Sequence, residues 1–431
     1  MKKHLSLVAI LGLAILNAGE FHALGGNSIS MGGAGVASAS GSLAGYYNPA
    51  LLTQKKGVEF SIGVGLGIRE SNIGEQINTI SNMKLNDVID RIANNAQEGT
   101  PKLGQNNPED TRNIVKAQDI LRDIGDENGI SIMPTAHLGL QYDNMAIGLY
   151  LTSDIAVSAN IDKEHLALSV KEDGNYFLYD ASLDEYSIID EDTYRQSSLE
   201  YALDNKLTTI KVTGLVLTEV PVSYAHAFDM PMGELSVGGS LKLMHGTTYS
   251  QMLDIDDEDA TDEDSLKENK EDSDNIGLDL GVLLKPTAVP KLTLGLVAKN
   301  INAPAFDIAD GGEIKADVQV RTGVQYTLSD SIEFAGDLDL TTNKTLINGY
   351  DSQMIGGGVN FHPVSWFALR GGLMQNLANS NEGLVYTAGI ALGLQQFQLD
   401  ISAQMSSNTG EYDGESIPKY AKVNVALVSK W

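Results

Sequence analysis

The sequence predicts an all-β protein, a transmembrane up-and-down antiparallel β-barrel of about fourteen strands with an N-terminal hatch in its lumen and a helical insertion in the first extracellular loop. Three observations predict it. Apolar residues recur at period two instead of gathering in long runs, the connections between candidate strands alternate long and short, and the chain ends on an aromatic, Trp431. After the N-terminal segment no stretch approaches the roughly eighteen consecutive apolar residues of a membrane helix. The expected division is a signal at residues 1–18, a hatch at 19–57 and a barrel at 58–431, carrying a helical insertion at 74–126 and an acidic loop at 253–275.

The chain begins with Lys2 and Lys3, an apolar run over residues 5–16, and then small residues, which is the layout of a secretory signal. At about twelve residues that run is too short to span a bilayer as a helix. Cleavage is expected after Ala18, with Ala23 the alternative. The whole chain has 29 basic and 57 acidic side chains, a net charge of −28, and loses two more positive charges with the signal. So acidic a chain is a poor partner for nucleic acid. There is no cysteine, which removes disulfides, thiol nucleophiles and thiolate metal sites together.

Residues 25–52 carry seven glycines interleaved with Ala and Ser, a composition that lets a backbone run close to surrounding walls. Met31, Val36, Leu43, Tyr46, Tyr47, Leu51 and Leu52 within it are residues that pack, so the stretch reads as a plug; a flexible linker is the alternative. Asn48-Pro49 sets a turn, with Ala50 opening the packed turn that follows.

Met31-Gly32-Gly33-Ala34-Gly35-Val36-Ala37, followed by Tyr47-Asn48-Pro49-Ala50-Leu51, resembles the mature N-terminus of the FadL/TodX outer-membrane transport barrels, and more closely that of the related TraF conjugal-transfer barrels. The resemblance implies a hatch folded into a barrel of fourteen strands in the outer membrane of a Gram-negative bacterium, with hydrophobic small molecules such as fatty acids as cargo. Only Gly32, Gly33, Gly35, Asn48, Pro49 and Ala50 carry over as hatch residues. A thioredoxin-like reading of the TraF resemblance fails for want of cysteine.

Alternation places strands at 58–69, 130–142, 144–158, 207–228, 234–250, 276–286, 291–300, 316–328, 331–342, 353–362, 364–374, 383–394, 396–406 and 419–431. Most exceed the roughly nine to eleven residues that a tilted strand needs to cross a membrane. Long connections are expected outside and short turns on the periplasmic side, with an even strand count returning both termini to the periplasm. In the last strand Val425, Leu427 and Trp431 form the apolar stripe that barrel-insertion machinery reads in such proteins, interrupted by Ser429.

The first long connection switches to helical period. Met83, Val88, Ile89 and Ile92 share one face, with Gly99 a stop; a second helix has Asn107 as N-cap, Pro108 at its first position, Glu109 and Asp110 in the first turn, and Gly125 beyond its end. Such a hairpin either packs on the barrel rim or meets a partner. The second long connection bears Tyr176, Tyr179, Tyr186, Tyr194 and Tyr201, suited to membrane headgroups or carbohydrate, or to packing the loop on itself. The acidic loop 253–275 lacks the glycine and spaced acceptors of an EF-hand and reads as a solvated loop.

Catalysis finds no constellation, and neither metal ligands nor a cofactor motif is recognised. His137, His226 and His245 fall on strands as lumenal or interfacial residues. Glu333, Asp337 and Asp339 share the inward face of one strand, with Arg321 or Lys299 nearby, as polar residues of a hydrated lumen. Two functions fit a non-enzymatic barrel bathed in outer-membrane lipid. One is passive uptake of hydrophobic small molecules past the hatch, and the other is a surface interaction role in conjugal transfer.

Overall fold

The computed structural model describes residues 15–17, 19–39, 41–96, 106–253, 269–309, 311–394, 396–412 and 414–431. Apart from Ile15–Asn17, the expected signal lies outside the described residues, as do Gly99 and most of the acidic loop. Fourteen antiparallel strands close into one barrel. In chain order they are β1 (Val58–Ser71), β2 (Gly129–Tyr142), β3 (Met145–Asn160), β4 (Thr209–Met230), β5 (Gly233–Leu253), β6 (Lys270–Pro286), β7 (Leu292–Lys299), β8 (Gln319–Ser329), β9 (Ile332–Asp339), β10 (Met354–Val364), β11 (Phe367–Asn376), β12 (Leu384–Leu394), β13 (Phe397–Ser406) and β14 (Tyr420–Lys430). Every expected strand is found, the largest difference being β6, which starts at 270 instead of 276.

The pleat sorts the side chains. On β1, Ser61 is buried while Val64 is 60% exposed on the outer face, and Ile62, Leu66 and Ile68 share that face. The same outward row recurs around the wall, for instance Leu241 and Leu243, Leu278 and Leu280, Leu399 and Ile401. An apolar belt around a closed barrel is the surface that lipid, not water, requires. β1 closes on β14 with Val64 opposite Val425, and the backbone groups of Val58 and Trp431 bond each other at 2.9 and 3.0 Å. Val425, Leu427 and Trp431 all face outward. Ser429 interrupts their stripe: it is buried, and its hydroxyl donates to the Gln396 carbonyl.

At the long-loop end the first two connections fold together. The single helix expected over Met83 to Ile92 is two: Lys84 takes φ 50°, which ends α3 (Gly74–Met83) before α4 (Leu85–Ala96) begins. α5 (Pro108–Asp123) has the expected cap, the Asn107 side chain accepting from the Glu109 N–H at 3.0 Å. Val88, Ile92, Ile114 and Leu121 do not simply lie on the rim. They share a core with Leu166, Val170, Tyr179 and Leu199 from the second connection, so that two loops build one cap. Its tyrosines bind the loops to each other: Tyr186 donates to the Ile92 carbonyl at 2.8 Å, and the Tyr179 hydroxyl lies 3.0 Å from that of Thr111.

Below the cap, two further connections fold inward. Phe306, Ile308 and Ile314 from one, and Leu346, Ile347 and Tyr350 from the other, pack against Leu215, Leu217 and Met244 of the wall. Sequence alternation gave no sign of these inward loops.

A closed barrel unfolds only when its whole hydrogen-bonded circuit opens. The purified protein is therefore expected to migrate faster on a denaturing gel before boiling than after it, and a mobility indifferent to heating would be incompatible with this closure.

Candidate functional site

The lumen is filled by the N-terminal segment. From Gly19 the chain runs without regular secondary structure to Leu24, and forms helix α1 (Gly26–Ser30), a glycine-rich turn, and helix α2 (Ala44–Tyr47). It leaves at the short-turn end through a 3-10 turn, Pro49–Thr53, into β1. Most of residues 19–52 are buried.

Asn48 is fully buried and works as a key. Its Nδ2 donates to the Val36 carbonyl at 3.0 Å within the hatch and reaches the Val282 carbonyl of the wall at 3.2 Å, while its Oδ1 accepts from the Ala50 N–H at 3.1 Å. Asp337 is a second key, one carboxylate oxygen accepting from the N–H groups of Gly35 and Val36 at 2.8 and 2.9 Å. Thr387 is a third, donating to the Ser30 carbonyl at 2.8 Å and accepting from Gly32 N–H at 3.0 Å. At the hatch floor Glu59 accepts from Ser42 N–H at 3.1 Å.

The close fit comes from glycine on both sides. Gly32 sits at φ 68°, and a side chain there would begin 2.4 Å from the Leu373 carbonyl and 2.5 Å from Gly357 N. Gly33, at φ 80°, has open space around it, whereas a side chain on Gly35 would run into the Tyr47 ring at 2.2 Å. Facing them, the wall offers Gly238 to Pro49, Gly281 to Asn48, Gly295 and Gly323 to Val36, and Gly356 and Gly358 to the turn at Met31 and Gly32. Strand parity marks these residues in the sequence: each of them occupies an inward position of its strand, where a polar side chain would otherwise stand.

Above the hatch the lumen is held by buried ion pairs. Arg69, 1% exposed, grips both oxygens of Glu20 at 2.6 and 2.7 Å and bonds Glu382 at 2.6 Å. Lys242 lies between Glu219 at 2.8 Å and Asp279 at 3.0 Å. Phe21 and Tyr46 pack together with Tyr47, and Lys299 sits 3.6 Å from the Tyr46 ring centre while the Arg321 guanidinium lies 4.1 Å from that of Phe21. Burial pushes the Glu20 carboxyl up, but the Arg69 guanidinium outweighs it and holds the group down at about 2. Burial pushes His22 down to about 4 against the pull of Glu20, so the imidazole is neutral at pH 7.

The four expected lumenal polar residues are not one group. Arg321 bonds Asp339 at 2.5 and 3.0 Å, Asp337 is spent on the hatch, and Glu333 lies lower, accepting from Asn360 at 3.1 Å in the vestibule of the short-turn end. His137 is buried in the lumen, whereas His226 points outward against Phe228 and His245 is exposed beside Asp274. The vestibule has a volume of about 620 Å³ and is roofed by hatch residues, with Lys285, Lys291 and Arg370 in its wall. On the other side of the hatch the space around Glu20 and His22 shrinks to cavities of about 50 and 30 Å³. Each has room for a water or two and for no cargo.

Residues 45–339 match the model of the protein family described as F plasmid transfer operon, TraF, protein. Among solved structures, the TodX deltaS2S3 mutant monoaromatic hydrocarbon channel superposes with a TM-score of 0.50 at 12% identity, over 94% of this chain and 98% of that one. The toluene transporter TbuX of Ralstonia pickettii gives 0.48 at 14% identity, over 94% and 97%. A FadL homologue of Pseudomonas aeruginosa gives 0.45 at 10% identity, over 96% and 99%. No curated protein matches in sequence. At such identities, the TodX mutant likeness shows a common fold.

The hatch contacts set two expectations. Gly32→Val carries both a strained φ and a clash with wall backbone, on the order of 1 to 3 kcal/mol for each cause, and should unseat the hatch more than Gly33→Val, which carries the strain alone. In planar bilayers the Gly32 variant should flicker to a higher conductance more often than the Gly33 variant; equal flicker would mean that the wall approach is not limiting. The second expectation concerns acid. With folded values of about 4 for His22 and about 2 for Glu20 against ordinary values of 6.5 and 4.5, the seated state loses stability as pH falls, first through His22 below about 6.5 and then through Glu20 below about 4.5. Open probability should rise between pH 7 and 4, and a flat profile would contradict a buried neutral His22.

Proposed function

The chain belongs to the family of the TraF protein of the F plasmid transfer operon, and from that premise we propose that it is a hatch-gated channel of the Gram-negative outer membrane for passive entry of hydrophobic small molecules. The observation that carries the reading is how the plug is held. Asn48, Asp337, Thr387 and Glu59 attach it to the wall by side-chain hydrogen bonds, and among the described residues no strand of the hatch joins the barrel sheet. A plug seated in this way leaves without opening the barrel. The similar TodX mutant barrel is a monoaromatic hydrocarbon channel, which supports an apolar cargo class here. In this orientation the short turns and Trp431 face the periplasm, the outward Val425 and Leu427 belong to the stripe offered to the insertion machinery, and the acidic surface has no use for nucleic acid.

The cap favours a second reading. It has its own core, and its second loop bears Ile188 at 80% and Leu183 at 55% exposure among many carboxylates, which suits contact with another protein at the cell surface. Transport and docking are separated by uptake. Cells with the gene should accumulate a radiolabelled fatty acid or alkylbenzene faster than cells without it, and equal uptake over a panel of such compounds would leave the docking role. Removal of residues 32–50, with the signal and strands kept, should give an inserted barrel with larger and less gated conductance. Conductance no larger than that of the intact protein would refute the gate.

A further inference from the structure

The start of the lumen segment points to where the chain is processed and what the cut creates. The sequence leaves two cleavage sites open, after Ala18 and after Ala23, and the residues between them are built into the lumen. Glu20 takes both oxygens to Arg69, Tyr46 donates to the His22 carbonyl at 2.6 Å, and Lys422 donates to the Ala23 carbonyl at 2.8 Å. Loss of Gly19 to Ala23 would leave Arg69 with Glu382 alone and Lys422 without its acceptor, in a site where an unmatched charge is costly. Cleavage after Ala18 keeps all of these contacts.

Gly19 itself lies against the inward loops, its N–H donating to the Lys344 carbonyl at 2.9 Å. A methyl group placed on it would lie 3.2 Å from Cβ of Asp317. Among the described residues, Asp317 makes no hydrogen bond or ion pair, although two cations are near. Both are committed elsewhere, Lys315 to Glu313 at 3.0 Å and Lys344 to Asp351 at 2.8 Å. The Asp317 side chain thus starts beside Gly19, the residue whose backbone nitrogen a cut after Ala18 would charge.

We propose that the chain is processed between Ala18 and Gly19 and that the α-ammonium created on Gly19 pairs with Asp317, pinning the upper end of the lumen segment. The step is hydrolysis by a signal-peptidase-type protease. Water adds to the Ala18 carbonyl carbon, the C–N bond breaks, Ala18 leaves as a carboxylate, and the Gly19 amine takes a proton. Before the cut the same nitrogen is a neutral amide, and Lys315 and Lys344 near Asp317 are paired with Glu313 and Asp351, so the pin exists only in the processed protein. The proposal stands whatever the barrel carries.

Two measurements test it on the full protein purified from membranes. N-terminal sequencing should read Gly-Glu-Phe-His-Ala-Leu, and a start at Leu24 would overturn the proposal. Acetylation of the N-terminal amine by a limiting acylating reagent near pH 7, followed by mass spectrometry of the N-terminal peptide, should be at least five-fold slower in the wild type than in Asp317→Asn. Equal rates would mean burial without pairing and would overturn the pin. If Asp317→Asn yields no heat-modifiable barrel, the wild type alone decides through the pH dependence of its acetylation. An unpaired terminal amine titrates at about 7.7 to 8.0. With Asp317 beside it and Lys315, Lys344 and Glu20 as the other charged groups facing this end of the lumen, pairing should bring the half-maximal rate above that range. A midpoint at or below it would overturn the pairing.

Discussion

In lipid no backbone N–H or C=O is left unpaired, so a sheet that crosses a membrane must close on itself. In this chain closure takes fourteen strands, and that number dictates most of the interior. Side chains alone fill a barrel of about eight strands; a wider one keeps a lumen. Here the chain fills its own lumen with residues 19–52 from one end and two inward loops from the other. The glycines on both surfaces follow from the same constraint, because a filler that must pass within reach of wall backbone, as Gly32 does at Gly357, has no room for Cβ atoms.

What the filler gains from its contacts is position more than stability. The lumen buries Arg69, Lys242 and Arg321, each matched to one or two carboxylates. A buried pair roughly balances its own desolvation, yet removal of one partner costs about 3 to 5 kcal/mol. Any other seating of Glu20 would incur that cost at Arg69, while the apolar residues Met31, Val36 and Leu52 would tolerate several. Charge therefore selects one seat for the segment, and the glycine surfaces let it lie there.

The barrel was legible because its signal is local. Each strand repeats Val64-Gly65-Leu66 or Leu278-Asp279-Leu280 patterns over its length, and turns such as Asp143-Asn144 interrupt them sharply. Position and composition mark residues 25–52 as a stretch that packs, and Asn48, beside Pro49, bonds both the segment and the wall. The interior partnerships were not legible, because they join residues far apart in sequence: Arg69 meets Glu382 across 313 positions, and Gly35 meets Asp337 across 302. The same holds for the cap. Asn107 announces its helix, but nothing local says that Ile114 will pack with Leu199 of another loop. The wall glycines lie between these cases, readable only once strand parity is known.

The closures differ in how they can open. The wall is a continuous ladder, and the cap has a core of its own, so neither yields without unfolding a cooperative unit. The hatch has neither ladder nor separate core; its apolar residues pack partly on wall residues such as Tyr150 and Leu283, and its polar links are single side chains. The vestibule already opens to the short-turn end beneath it, with charges of both signs, Lys285, Lys291 and Arg370 with Glu59, Glu333 and Asp400, beside Val364 and Phe367 on its wall. An apolar cargo thus finds no ready-made tunnel. Under the channel reading its path is the surface that the hatch uncovers on leaving, where Gly295, Gly323, Gly356 and Gly358 leave room, and where Asp337 and Arg69 lose the hatch partners that match them.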